Sequence, residues 1–172
     1  MKLIQISGKR ILHSFNHNVS KAPAAGGEGG GDADDDAGEA LSSVECVGFS
    51  NKQWYWCASG GLDNSLKVWD LAAGICRSSC AHNGSVVSLK WHSVAPIIVS
   101  AALDRLVRIW DARSGTLLQS LTGHRDAVTS IELAPLPASE DPTDTDTDVI
   151  VSVSDDKTAR VFRIDYNALL LR

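Results

Sequence analysis

Residues 99–111 read VSAALDRLVRIWD, and two further stretches repeat their pattern: ASGGLDNSLKVWD at 58–70 and VSVSDDKTARVFR at 151–163. Aligned on Asp63, Asp104 and Asp156, each has a serine four residues earlier (Ser59, Ser100, Ser152) and an aromatic six residues later (Trp69, Trp110, Phe162). The aspartates lie 41 and 52 residues apart, the longer interval carrying the acidic stretch 135–148. A second register agrees. Val44, Val86 and Val128 each open an alternating run that closes five residues later on Phe49, Trp91 and Leu133, and His82 and His124 precede the second and third runs by four. Self-similarity at this period means a stacked repeat, each unit burying its apolar faces against its neighbours.

Within a unit, β-branched and aromatic residues alternate with polar ones, and Gly, Asn, Asp or Pro punctuate the runs. This predicts short strands. The middle unit divides into Val86–Trp91, Ile97–Ala101, Leu106–Asp111 and, after Arg113-Ser114-Gly115, Thr116–Leu121. The same fourth strand is expected at Ile75–Ser79 and at Arg10–Phe15.

Four strands per unit of about 40 residues, a Gly-His at 123–124 and a Trp-Asp at 110–111 resemble the WD-repeat family over about 44–163. Phe162-Arg163 replaces Trp-Asp in the last unit, and Ala81 replaces the glycine before His82. The resemblance implies an all-β fold, a partial WD-repeat β-propeller of about three four-stranded blades plus one orphan outer strand. The division expected is 1–17 for that strand of a preceding blade, 18–43 for an acidic Gly-rich insert, and 44–80, 81–122 and 123–164 for the blades. Residues 165–172 form a tail. Three blades do not close a ring, since propellers run to roughly four to eight. The expectation is therefore the last three blades of a longer protein, with two apolar blade faces open.

The resemblance also implies a buried hydrogen-bond chain, complete in His82, Ser100, Asp104 and Trp110. The chemistry suits it, because a buried Asp needs donors, an indole N–H needs an acceptor, and Ser and His do both. A second set, His124, Ser152 and Asp156, ends in Phe162, which has no N–H; a looser blade is expected there. In the first set, Ser59, Asp63 and Trp69 have His17 as their candidate histidine, across an insert of more than twenty residues. Ser, His and Asp together also suggest a hydrolase, but there is no G-x-S-x-G and the grouping recurs in successive units. No catalytic residues are expected.

Function on such a fold is read from its surface. Positions three and five after each histidine, and one before each turn aspartate, project on one face: Ser85, Val87 and Leu103; Ala127, Thr129 and Asp155; and, in the first unit, Ser43, Glu45 and Leu62. Mostly small or apolar, with two acids, they suit peptide docking. Trp110-Asp111-Ala112-Arg113 fits the W-D-x-R pattern of propellers that act as substrate receptors of cullin-type ubiquitin ligases, an alternative reading.

The chain of 172 residues carries 21 acidic and 16 basic side chains, a formal charge of −5, which disfavours a nucleic-acid surface and favours basic partners. Cys46, Cys57, Cys76 and Cys80 have no C-x-x-C pairing, so reduced structural thiols are expected, with no metal and no cofactor. Asp32 to Asp36 hint at a calcium loop, but the glycine comes late and position twelve is Ser43. Thr143 and Thr145, each with an aspartate three residues on, are weak phosphorylation candidates. No run approaches the roughly 20 apolar residues of a membrane span. The expected compartment is the cytoplasm, with the nucleus second. Finally, 43–50, 62–82, 86–91, 103–124 and 154–162, with the acidic insert before Ser43, resemble one WD-repeat group more closely. That group includes a fungal ribosome-assembly chaperone, and its animal members are associated with cell migration. The resemblance implies a chaperone that holds the basic end of a large-subunit ribosomal protein.

Overall fold

Alternation of apolar and polar side chains along short runs produces strands that bury one or both faces, and the described residues of the computed structural model form thirteen. The structure describes residues 2–5, 10–15, 17, 43–51, 55–135, 147–165 and 169. Of the expected insert 18–43, all but Ser43, including its calcium-like run, lies outside the described residues, as do Thr143 and Thr145.

Two four-stranded antiparallel sheets follow each other. Blade one is β3 (Val44–Phe49), β4 (Trp56–Gly61), β5 (Ser65–Asp70) and β6 (Ile75–Ala81); blade two is β7 (Val86–Trp91), β8 (Ile97–Ala102), β9 (Val107–Asp111) and β10 (Thr116–Leu121). Blade three has three strands, β11 (Val128–Pro135), β12 (Thr147–Ser154) and β13 (Ala159–Asp165). Pro135, Thr147 and Asp148 are thus strand residues, and only 136–146 of the acidic insert lie between them; Asp165, expected in the tail, closes β13. Among the described residues the fold is an all-β set of blades, as the repeat predicts, that does not close on itself.

The orphan strand is a correction. Before β2 (Arg10–Ser14) runs β1 (Lys2–Gln5), and the two pair antiparallel, Lys2 opposite Ser14 and Gln5 opposite Arg10. Lys-Leu-Ile-Gln is only four residues long, too short for its alternation to stand out, and it acquires strand character from its partner.

Register repeats with the sequence. Ser59 lies opposite Lys67, Ser100 opposite Arg108 and Ser152 opposite Arg160. The second strands of blades one and two are buried throughout. One core joins blades one and two through Ala58, Leu66, Val68, Leu89, Ile98 and Trp110. Another joins blades two and three through Val99, Ala101, Ile109, Ile131, Ile150 and Ile164, with Leu169 packed against it. A Cβ on Gly60 would stand 2.5 Å from Val86 Cγ1, so only glycine lets these sheets approach. Polar contacts reinforce the seams: Trp91 Nε1 donates to Gly48 O at 3.0 Å, and Lys90 pairs with Glu132 at 2.7 Å.

Two rims result. The upper rim carries the β4–β5, β8–β9 and β12–β13 turns and the connections between blades; the lower carries the other turns. In each upper turn the residue after the aspartate has positive φ: Asn64 at 59°, Arg105 at 72° and Lys157 at 67°. Asn tolerates this region, while Arg and Lys hold it at a cost that the Asp side chain offsets by capping the turn.

Candidate functional site

Each turn aspartate accepts from the backbone two residues on, Ser65 N to Asp63 (3.1 Å), Leu106 N to Asp104 (3.2 Å) and Thr158 N to Asp156 (2.9 Å), which fixes the upper turns. Behind them the expected buried networks form, in three versions.

Blade two differs most from expectation. Trp110 Nε1 donates to Ser100 Oγ at 2.9 Å, and Ser100 faces His82 Nε2 at 2.9 Å. His82 Nδ1, however, turns to Cys80 O at 3.1 Å rather than to Asp104. The carboxylate is taken by Arg108, four residues along in β9, at 2.6 and 3.1 Å, and by Asn83 N at 3.1 Å. A buried guanidinium satisfies both carboxylate oxygens better than one imidazole nitrogen can, so the chain from Trp110 ends on a backbone carbonyl. Burial, then the nearby Arg108 charge, pushes His82 down to about 4, which fixes it as neutral. Burial works to raise Asp104, but the Arg108 hydrogen bond and charge outweigh it and leave the carboxyl below its ordinary value.

Blade three keeps the link that blade two lacks. His124 Nδ1 meets Asp156 at 3.0 Å and its Nε2 meets Ser152 Oγ at 2.7 Å. Phe162 supplies no N–H. The Thr158 hydroxyl and the Arg125 amide hold Asp156 far below the usual carboxylate range. In blade one, His17 takes the place the sequence left open: Nδ1 lies 2.8 Å from Asp63, and Trp69 Nε1 donates to Ser59 Oγ at 2.7 Å. Its Nε2 meets the Ser59 carbonyl at 3.3 Å instead of the hydroxyl, and Phe15 packs on Trp69 with ring centroids 4.8 Å apart. Lys67 joins this group, donating to Asp63 at 3.3 Å and to the His17 carbonyl. The sequence signal missed was the cation four residues after each aspartate, Lys67, Arg108 and Arg160, visible in the same alignment.

Ser59, Ser100 and Ser152 all have zero exposure. A hydroxyl that no solvent reaches and that is already hydrogen-bonded to an indole or an imidazole cannot attack a substrate. Among the described residues, no three His, Cys, Asp or Glu side chains converge on a metal-sized site.

These networks position the upper rim. One backbone hydrogen bond recurs in all three blades: Leu62 N to Ser43 O (2.9 Å), Leu103 N to Ser85 O (2.9 Å) and Asp155 N to Ala127 O (3.0 Å). It brings the expected docking positions together in pairs and in register. Ser43, Glu45, Leu62, Leu103, Thr129 and Asp155 are exposed, and Ser85, Val87 and Ala127 half-buried. Ser43 Oγ donates to Glu45, and Thr129 Oγ1 to Val153 O. Arg105, Arg125, Asp126 and Lys157 are exposed on the same turns and connections.

Arg113 lies on the opposite, lower rim. Its Nε bonds Asp111 at 3.2 Å and its side chain is exposed; Trp110, by contrast, is buried. Of the W-D-x-R group, Arg113 is exposed, Asp111 half-buried, and Trp110 and Ala112 buried. Nearby, Arg77 covers the Trp56 ring at 4.3 Å.

Comparison with known proteins agrees with this geometry. The family model described as "WD domain, G-beta repeat" matches residues 40–70, 74–111 and 115–163. Angio-associated migratory cell protein of Homo sapiens is 33% identical over 121 residues, covering 70% of this chain and 25% of that protein. Nuclear distribution protein nudF of Aspergillus niger is 28% identical over 117 residues, covering 67% and 26%. The chain thus spans about a quarter of the length of each of these two relatives. Among solved structures, the computationally designed Ika4 protein superposes with a TM-score of 0.56 at 27% identity, over 71% of this chain and 66% of that one.

Proposed function

The chain belongs to the WD-repeat family, and on that premise we propose a non-catalytic protein-binding scaffold, chaperone-like, whose client is a basic ribosomal protein of the large subunit. The observation that carries the binding role is the upper-rim hydrogen bond repeated in three blades, which displays equivalent side chains in register on one rigid face. Preorganised positions of this kind bind an extended segment without a large ordering cost. The choice of client rests on the resemblance to the ribosome-assembly group, matched by the identity to angio-associated migratory cell protein. The described rim carries exposed Arg105, Arg125 and Lys157 as well as Glu45, Asp126 and Asp155. The excess acid that would draw a basic client resides in residues 21–43, which hold Glu28, Asp32, Asp34, Asp35, Asp36 and Glu39. The cytoplasm is the compartment this reading calls for.

Affinity purification with the tagged chain tests it. A large-subunit ribosomal protein should be the dominant partner, bound less tightly as salt rises and by the double variant Glu45→Lys/Asp155→Lys. Salt-insensitive binding, indifferent to that double variant, contradicts the reading. The exposed Arg113 supports the ligase-receptor alternative only if an adaptor dominates the purification and is lost on Arg113→Ala.

A further inference from the structure

The cation four residues after each turn aspartate keeps one register in every blade, opposite the strand serine: Lys67 across from Ser59, Arg108 from Ser100 and Arg160 from Ser152. In blades one and two it is used inside the fold. Lys67 Nζ lies 3.3 Å from Asp63, and Arg108 holds both oxygens of Asp104 at 2.6 and 3.1 Å. Lys67 and Arg108 are accordingly buried.

Blade three departs from this arrangement, because its aspartate is already saturated. Asp156 Oδ2 meets His124 Nδ1 at 3.0 Å and accepts from Arg125 N at 2.9 Å; Oδ1 accepts from the Thr158 amide at 2.9 Å and its hydroxyl at 2.6 Å. Two donors on each oxygen use the lone pairs that a carboxylate offers. Arg160 is left without an acid, and among the described residues no group accepts a hydrogen bond from its guanidinium. Its Nε is nonetheless shielded from solvent. The side chain settles against Gly123, where φ is +136° and a Cβ would stand 3.1 Å from Arg160 Nη1. A donor withdrawn from water and given no acceptor is unfavourable, and folded proteins keep few of them.

We propose that Arg160 anchors an anion-binding site where the connection from blade two enters blade three. It takes an oxyanion, carboxylate or phosphate, borne on a side chain of a protein partner. The planar guanidinium pairs two N–H groups with two oxygens of such a group, and partial burial strengthens each bond. Arg125, whose amide bonds Asp156, and Lys157, which follows Asp156 in the turn, are exposed and form no ion pair among the described residues. Their charges add attraction at longer range. Asp126 and Asp155, exposed on the same connection and turn, offset part of it, so the site depends on the donors of Arg160 more than on net charge. This inference is independent of which client the upper rim takes.

Nuclear magnetic resonance of the chain tests it, following the Gly123 amide and the Arg160 Nε–H while inorganic phosphate and acetate are titrated separately at constant ionic strength. At least one anion should shift both signals saturably, and the tighter of the two identifies the partner's side chain as phosphorylated or acidic. Read at Gly123, Arg160→Gln should weaken that binding by about tenfold or more, and Arg160→Lys, which keeps the charge but loses the fork, by an intermediate factor. Because Arg160 supports no acid of the fold, Arg160→Gln should leave the urea midpoint unchanged, whereas Arg108→Gln lowers it. Absence of a saturable shift with either anion, binding that survives Arg160→Gln, or a midpoint lowered as far by Arg160→Gln as by Arg108→Gln would each overturn the proposal.

Discussion

Replacing Ser100 with Ala removes one oxygen and strands two buried groups. Ser100 Oγ accepts from Trp110 Nε1 and donates to His82 Nε2, each at 2.9 Å, and the side chains of all three are buried. An orphaned buried donor or acceptor costs about 1–3 kcal/mol, so the loss should total about 3 kcal/mol. Ser152→Ala removes the equivalent oxygen but strands only His124 Nε2, because Phe162 has no N–H and His124 keeps Asp156. About 1.5 kcal/mol is expected there. The cavity left by one hydroxyl is small and similar at both sites, so the difference isolates the indole. Urea denaturation of the two variants should therefore separate clearly in midpoint with an unchanged slope. In a Trp110→Phe background, Ser100→Ala should cost about 1.5 kcal/mol less than in the wild-type chain. Equal losses for the two serines, or no coupling between Ser100 and Trp110, would refute the assignment of the serine as a bridge.

Three further outcomes follow from the same geometry. Phe162→Trp supplies the N–H that Ser152 lacks, at a half-buried site with room toward solvent, and should raise stability by about 1 kcal/mol in the same denaturation assay. His82, lowered from 6.5 to about 4 in the fold by burial, binds protons only when unfolded over that interval. Its contribution is intact above pH 6.5 and lost as pH falls toward 4, so going from pH 7 to 5 should remove about 2 kcal/mol, a limb that His82→Gln flattens. Among the thiols, burial raises all four, Cys57 to about 12, Cys46 and Cys80 to about 11 and Cys76 as well, but Cys76 alone of them is exposed. Iodoacetamide on the native chain should give one rapid adduct, mapped to Cys76 by mass spectrometry.

The repeat of Asp, Ser and aromatic at constant offsets was enough to determine strands, blades and turns, because each blade is a local unit whose register follows from side-chain alternation. It also placed the expected docking positions at equivalent points of each blade, since equivalent residues in stacked units must project alike. Partner choice inside the buried networks was beyond it. Whether His82 meets Asp104 depends on Arg108 arriving at the same carboxylate, and that competition is settled by where a folded strand aims a side chain, with the cheaper satisfaction of two buried charges prevailing. His17 could be matched to Asp63 only once the chain had crossed the insert, and β1 became a strand only through β2. Short segments and long-range polar pairs draw their energy from neighbours distant in sequence, and for these the tertiary structure alone decides.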